Sequence, residues 1–255
     1  MKHLNTVWIS TAPRAGSMWV FNITREINKI SDFIVLPTEI PHDDETQFSI
    51  YENQALKDNN NKNFYVLKIH NILKQNIKRS KIITVIRDPR DLCASFKEFQ
   101  KVDFNKVLQA GKDSIRMIKK YKDYDRNYLL TIKYENIENS PLETTAKIAK
   151  FINKDINETQ TKQIVRKFTR ENVKKIISAK NLVVENKIKN KIPLNKGEFV
   201  SLGNKLIRTF DEKTGFQTNH ISNRKSGEWQ KNFSDDEIKV LNGEFSQFLK
   251  DYGYD

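Results

Sequence analysis

Four short runs of apolar residues punctuate the chain, at Val7 to Ser10, Phe64 to Ile69 (FYVLKI), Lys81 to Arg87 (KIITVIR) and Tyr128 to Ile132 (YLLTI). Each gives way to a polar or helical stretch, and continuous short runs of this kind predict buried strands of a mostly parallel sheet. Helical patterns lie between them at Ser17 to Ile30, Asp91 to Phe99, around Val107 to Tyr121, and Pro141 to Ile152. The last opens with Ser140, Pro141 and Glu143 in the positions of cap, first-turn proline and capping-box acid. A second capping box, Ser234 to Glu237, starts a C-terminal helix whose face of Ile238, Leu241, Phe245 and Phe248 is expected in the core. Alternation of strand and helix predicts an α/β fold. Residues 178–223 break the rhythm. Rich in Lys and Asn, weakly periodic and long for a connection, they are expected to form a mobile cover.

A chain of 255 residues, 37% hydrophobic, is long enough to bury a sizeable core and fits one unit over 1–255 better than two. No internal repeat or low-complexity linker marks a boundary. Lys and Arg number 45 against 32 Asp and Glu, a net charge of +13, which favours an anionic ligand or partner. Much of that excess is Lys scattered beside Asn and Ile, and a compositional bias accounts for it equally well. Cys93 is the only cysteine, so no intrachain disulfide forms, a reducing compartment is expected, and the residue reads as a small buried one. The opening MKHLNTVWISTAPR has no signal-peptide core, and no apolar run reaches about 18 residues. The expectation is a soluble, cytoplasmic protein with no membrane partner.

Candidate chemistry sits at the ends of the apolar runs. After the first comes Pro13-Arg14-Ala15-Gly16-Ser17, a strand-to-helix turn without the GxxxxGK[ST] pattern. The amides of Ala15, Gly16 and Ser17 at a helix N-terminus make an anion pocket, Arg14 adds a bidentate cation, and the Ser17 hydroxyl can complete the cradle. An ordinary turn is the competing reading, since one glycine is a weak motif. Lys68 and His70 end the FYVLKI run two residues apart, hence on one face of a strand and at the edge where α/β sites form. A neutral imidazole can accept a proton near neutral pH while Lys steadies negative charge. Arg87 ends the next strand, and Ser95 follows eight residues on in "RDPRDLCASF", placed to share a second phosphate; a surface Arg–Asp cluster is the alternative. "NRKSGEWQKNF", Asn223 to Phe233, is a basic turn ahead of Trp229.

In this order, these stretches resemble the soluble sulfotransferases that use 3′-phosphoadenosine 5′-phosphosulfate (PAPS), with the likeness running from Ala12 to Phe233. The family's 5′-phosphosulfate loop, PKSGTTW or PRSGSTW, is matched by Pro13-Arg14-Ala15-Gly16-Ser17-Met18-Trp19. Its KTH element is matched by Lys68-Ile69-His70, its 3′-phosphate pair by Arg87 and Ser95, and its YED element by Tyr134-Glu135-Asn136. Its late RKGxxGDW loop is similar to Arg224-Lys225-Ser226-Gly227-Glu228-Trp229. "FTRENVKK" is similar to the adenine-side stretch and places Thr169 near the base. Trp19 matches the stacking aromatic, with a core tryptophan as the other reading. Met18 stands where the family has a hydroxyl residue, Arg14 replaces a Lys, and the last loop is two residues shorter. The dimerisation pattern KxxxTVxxxE of some members is not matched by "KNFSDDEIKV", which leaves oligomeric state open.

The resemblance implies a P-loop-like three-layer fold, a mostly parallel sheet flanked by helices, and transfer of a sulfuryl group to a hydroxyl or amine of a small-molecule acceptor without a metal. His70 is then the base, Arg14 and Lys68 stabilise charge on the departing phosphate, and Ala15, Gly16, Ser17, Met18 and Trp19 line the donor. Arg87, Ser95 and Arg224 grip the 3′-phosphate, with Lys225, Ser226, Tyr134 and Thr169 also at the donor. The acidic run "PHDDET", Pro41 to Thr46, suggests a cationic acceptor through Asp43 and Asp44, against the simpler reading of a solvated loop. Two rivals stay open. A nucleotide kinase or NTPase is disfavoured by the absent Lys-Ser/Thr pair, and a nucleic-acid-binding protein rests on charge alone, without an aromatic and basic binding motif.

Overall fold

A computed structural model describes residues 5–41, 50–73, 80–195, 197–202, 206–222 and 224–254, with the side chains of 201, 202, 206 and 207 excepted. Strand β1 (Thr6–Ser10) is buried along its whole length, because it lies in the middle of a five-stranded sheet. The order is β2-β3-β1-β4-β5, where β2 is Ile34–Leu36, β3 Asn63–Ile69, β4 Lys81–Ile86 and β5 Leu129–Lys133. Every pairing in it is parallel. Ser10 is paired with Ile69, so β1 and β3 end level with one another. The chain lays β2 at one edge, returns to set β3 between it and β1, and then adds β4 to the other side of β1. Such a reversal opens a crevice at the carboxyl ends of the strands.

Period-two alternation distributes the strand residues between two layers. Val7, Ile9, Val66, Ile83, Val85 and Ile132 meet helix α1 (Ser17–Ile30) and the helices behind it, while Trp8, Leu67, Ile69, Ile82 and Leu129 meet Met117 and Tyr121 on the opposite face. Short helix α2 (Glu52–Lys57) lies between β2 and β3 in the chain and buries Ala55. After β4 come α3 (Pro89–Gln100) and α4 (Phe104–Tyr121), and after β5 come α5 (Tyr134–Asn139), α6 (Pro141–Phe151), α7 (Glu158–Lys167) and α8 (Arg170–Lys189). The C-terminal α9 (Asp235–Tyr252) sets Leu241, Phe245 and Leu249 against Cys93 and Val107, with Ile238 partly buried beside them. The Cys93 thiol is buried and held up to about 12, consistent with a packing role. The expected α/β layering is therefore present. No helix among the described residues is long and apolar enough to cross a membrane.

Two expectations need amendment. The capping box of Ser234 and Glu237 forms with both of its bonds, but the Ser140 side chain makes no cap. Ser140 also closes α5, its amide donating to the Asn136 carbonyl at 3.0 Å, and its backbone (φ −137, ψ 55) is not the extended form that aims a capping oxygen. Residues 178–223, weakly periodic in sequence, hold the second half of α8 and an antiparallel pair, β6 (Phe199–Leu202) and β7 (Leu206–Thr209). The helical signal is blurred because α8 exposes Leu182, Val183 and Ile188, so its apolar residues do not fall on one stripe.

Helix glycines give a paired test. A Cβ at Gly111 in α4 would stand 2.8 Å from the Cys93 sulfur and closer still to the Phe245 ring, whereas one at Gly243 in α9 meets nothing within 4 Å. Alanine gains about 1 kcal/mol of helix propensity at either site, but overpacking costs about 1–3 kcal/mol and wins at Gly111. Gly243→Ala should raise the melting temperature by about 2–4 °C and Gly111→Ala should lower it; a stabilised Gly111→Ala would mean α4 and α9 are not packed this closely.

Candidate active site

The turn after β1 is bent by two residues with positive φ, Arg14 at 66° and Gly16 at 92°. Gly16 is required twice over, since a Cβ there would also come within 3.0 Å of the Tyr134 ring. The turn delivers Ser17, buried, as the first residue of α1, and no acidic residue occupies that first helical turn. The Ala15 amide is not part of the expected pocket, since it donates to the Ala12 carbonyl at 3.3 Å, but the amides at the start of α1, with no acidic residue in that turn, favour an anion.

Arg87, at the end of β4, reaches under this turn. Its Nη1 donates to the Arg14 carbonyl at 2.6 Å, and its guanidinium lies 3.9 Å over the Tyr134 ring. Its Nε is buried and has no hydrogen-bond partner among the described residues. Leaving a cationic donor unpaired is costly, and because the Arg87 side chain also lines the cavity described next, an anion bound there would offset part of that cost. Arg14 Nε donates to Ser95 Oγ at 3.0 Å, so the serine in α3 joins the same group. Burial first, and then the positive charge of Arg87, pushes the Arg14 guanidinium down to about 9. An anion in front of the pair would offset both causes.

These side chains form one end of a cavity of about 320 Å³. Arg14, Gly16, Ser17, Arg87, Ser95 and Arg224 give it a polar, cationic end; Trp19, Tyr134, Ile137, Phe168, Val173 and Phe216 give it apolar and aromatic walls. Such a cavity fits a ligand with a flat apolar body and anionic groups.

At the end of β3 the backbone around His70 is clamped on both sides. Thr11 N donates to the Ile69 carbonyl at 3.2 Å, and Ser10 Oγ donates to the Asn71 carbonyl at 2.8 Å. His70 Nδ1 lies 2.9 Å from the Thr11 carbonyl, which can only accept, so Nδ1 carries the proton and Nε2 keeps its lone pair. Lys68 Nζ is 3.2 Å from that Nε2. Both residues line a second cavity of about 240 Å³, which shares Arg14, Ser17, Met18 and His220 with the first. Hence the two cavities meet at the turn, with a cationic anion pocket on one side and an imidazole lone pair on the other.

Most of the expected residues converge here. Arg14, Gly16, Ser17, Met18, Trp19, Arg87, Ser95, Tyr134, Thr169 and Arg224 line the first cavity, and Lys68 and His70 the second. Ala15 is buried beneath the turn and lines neither. Arg224 is held by an ion pair with buried Asp91, whose other oxygen accepts from Gly227 N at 2.6 Å, and Glu98 lies 3.5 Å from Arg224 Nε. Lys225 and Ser226 line a depression beside Asp88, Asp91 and Glu135 that adjoins the first cavity through Glu138 and Arg170. Thr169 spends its hydroxyl as the cap of α8, accepting from Asn172 N. Asp43 and Asp44 lie outside the described residues.

Sequence reasoning missed His220 and Arg208. His220 stands between the cavities; its carbonyl accepts from Arg14 Nη2 at 2.8 Å, and desolvation followed by the charges of Arg14, Lys68, His70 and Arg208 holds its imidazole well below the usual range. Both residues lie within 178–223, where weak periodicity left no register to read. The one hint was a histidine, one of four, just ahead of the basic loop. Among the described residues no group of three or more His, Cys, Asp or Glu is placed to share a metal ion.

The sequence matches the family model described as a sulfotransferase domain over residues 4–253. Luciferin sulfotransferase of Photinus pyralis is 25% identical over 175 residues, an alignment covering 57% of this chain and 47% of that protein. The match thus spans about half the length of that relative. Among solved structures, retinol dehydratase in a complex with retinol and PAP aligns with a TM-score of 0.61 at 14% identity, covering 98% of this chain and 83% of that one. Mouse sulfotransferase SULT7A1 complexed with PAP aligns equally well, at 0.61 and 14%, covering 99% of this chain and 85% of that one. At that identity the two structures show a shared fold.

The Asp91 clamp can be tested by itself. Removing one partner of a buried ion pair costs about 3–5 kcal/mol, and Glu98 beside Arg224 sets the expectation at the lower end, about 3 kcal/mol, for Asp91→Ala. Urea unfolding should show that loss and hydrogen exchange a faster Gly227 amide; an unchanged Gly227 exchange rate would contradict the clamp.

Proposed function

The chain belongs to the sulfotransferase domain family, and from that membership we propose that it transfers a sulfuryl group from PAPS to a hydroxyl or amine of a small-molecule acceptor. One observation carries the reading most directly: Arg14, Arg87 and Ser95, joined by hydrogen bonds, line a cavity that meets the His70 cavity at the turn after β1. The first cavity fits the donor. Arg87, Ser95 and Arg224 would hold the 3′-phosphate, the amides of the turn with Arg14 and Ser17 the 5′ end, and Trp19, Tyr134 and Thr169 the nucleoside.

PAPS when bound supplies the sulfuryl group and leaves as adenosine 3′,5′-bisphosphate. This chain's residues do the rest. His70 Nε2 takes the acceptor proton as the new S–O or S–N bond forms and the S–O bond to phosphate breaks. The Thr11 carbonyl keeps Nδ1 protonated, so a single nitrogen is the base. Lys68 now donates to that same lone pair, and with a donor bound its ammonium would turn to the negative charge there and leave Nε2 free. Arg14 and Lys68 would then oppose the charge that develops on the departing phosphate, Arg14 from a position that its hydrogen bonds to Ser95 and the His220 carbonyl already fix.

Residues 178–223 fit the role of a cover, because Arg208, Phe216 and His220 from that segment wall the two cavities. A chain with one cysteine, buried, suits a reducing, cytoplasmic compartment.

His70→Ala should lower turnover by roughly 10²–10⁴-fold in an assay of bisphosphate release from PAPS over a panel of hydroxyl and amine acceptors, while bisphosphate affinity stays within about twofold. Full turnover in His70→Ala would remove the base assignment. Arg87→Ala should weaken calorimetric binding of the bisphosphate by roughly ten- to hundredfold, through loss of a charge-assisted phosphate contact. Equal affinities would place the phosphate elsewhere.

A further inference from the structure

The acceptor cavity carries more positive charge than the transfer requires. Arg14 and Lys68 serve the donor, His70 is the base, and His220 is held neutral; Arg208 on β7 has none of these tasks. It is 4% exposed, yet among the described residues no carboxylate pairs with it, and the cavity lining contains neither Asp nor Glu. Burial depresses its cationic form, with no neighbouring negative charge among the described residues to offset that cost. Its guanidinium lies 3.8 Å over the Phe99 ring and donates to the Phe99 carbonyl. Phe96, Phe99, Ile40, Val200 and Phe210 supply an apolar wall around it.

Resting on the sulfotransferase reading, we propose that Arg208 selects the acceptor: an apolar or aromatic alcohol that carries a carboxylate, its hydroxyl at His70 and its carboxylate on the Arg208 guanidinium. A planar guanidinium fits a carboxylate through two parallel hydrogen bonds, and an anion there satisfies a buried cation. The apolar wall contacts the body between the two polar ends. The geometry also accounts for the fixed position of the guanidinium: stacking on Phe99 and the bond to its carbonyl at the end of α3 hold it in place before the acceptor arrives. This assigns the described part of the cavity an anionic acceptor. It opposes the cationic one suggested by Asp43 and Asp44, which lie outside the described residues.

The rival role for Arg208 is structural, as a cap on the last turn of α3. Two acceptors separate the roles, para-hydroxyphenylpropionate and para-propylphenol, which share the phenol and differ by a carboxylate in place of a methyl group. With the full chain and PAPS, kcat/KM should favour the carboxylate by roughly ten- to hundredfold. Arg208→Gln should bring the ratio to about one, and Arg208→Lys should keep part of the preference. A cap lost for structural reasons would depress both acceptors and leave the ratio unchanged, which would overturn the proposal, as would a wild-type ratio near one. If neither phenol is turned over, the pair is compared by thermal stabilisation in the presence of adenosine 3′,5′-bisphosphate. Greater stabilisation by the carboxylate in wild type than in Arg208→Gln supports the proposal, and equal stabilisation overturns it. A bisphosphate that stabilises neither protein contradicts the donor reading instead, and the phenol comparison is then read without it.

Discussion

Everything around the two cavities depends on Arg14. Its backbone sits at φ 66° in the turn after β1; its carbonyl accepts from Arg87, its Nε donates to Ser95 in α3, and its Nη2 donates to the His220 carbonyl. Its guanidinium also lies 4.3 Å from the centre of the Phe99 ring. One residue therefore ties the strand-to-helix turn to β4, to α3 and to the segment beyond β7. A Lys here would keep the backbone bond to Arg87 but would put a flexible point charge in place of the planar fork that meets Ser95 and the His220 carbonyl while lying over Phe99. The cost is a buried cation beside another, Arg87, and an anionic ligand is what relieves it.

The positive charge of the chain thus has local structure that the total of +13 conceals. Around Arg224 it is partly offset from within, by Asp91 and Glu98, and the loop there is held as a part of the fold. Around Arg14 and Arg87 it is left open toward the first cavity, and around Arg208 toward the second. Histidines divide in the same way. His70 is oriented by the Thr11 carbonyl with its lone pair toward the second cavity, whereas His220 is kept uncharged between cations, which limits their mutual repulsion.

Much of this was legible in the sequence because the sheet is parallel and buried. Continuous apolar runs located β1, β3, β4 and β5 to within a residue or so, and in a parallel sheet the ends of such runs are where sites assemble. Arg14, Lys68, His70 and Arg87 were singled out for that reason, Ser95 by its spacing from Arg87, and all five line the two cavities. Three-residue β2 and the β6–β7 pair were not, since so few residues carry no measurable period. Arg208 was invisible for a related cause: it is a buried cation on a short strand, and its meaning comes from Phe99, more than a hundred residues away in sequence. Arg224 was legible as a basic loop residue, but its commitment to Asp91 follows from helix α3 lying beside it, a contact that composition cannot reveal. Ser140 failed as a cap because it was already the end of α5, and α5 was itself read only as a motif.

The central claim is that the cationic cavity beneath the turn holds a nucleotide through a 3′-phosphate as well as its 5′ end. Calorimetric titration of the chain in the presence of a chelator, with adenosine 3′,5′-bisphosphate and with ADP, tests it most directly. The account predicts saturable one-site binding of the bisphosphate without metal and affinity at least about tenfold weaker for ADP, the loss expected for one charge-assisted phosphate contact. Equal affinity for the two nucleotides, or no binding of the bisphosphate, would contradict it.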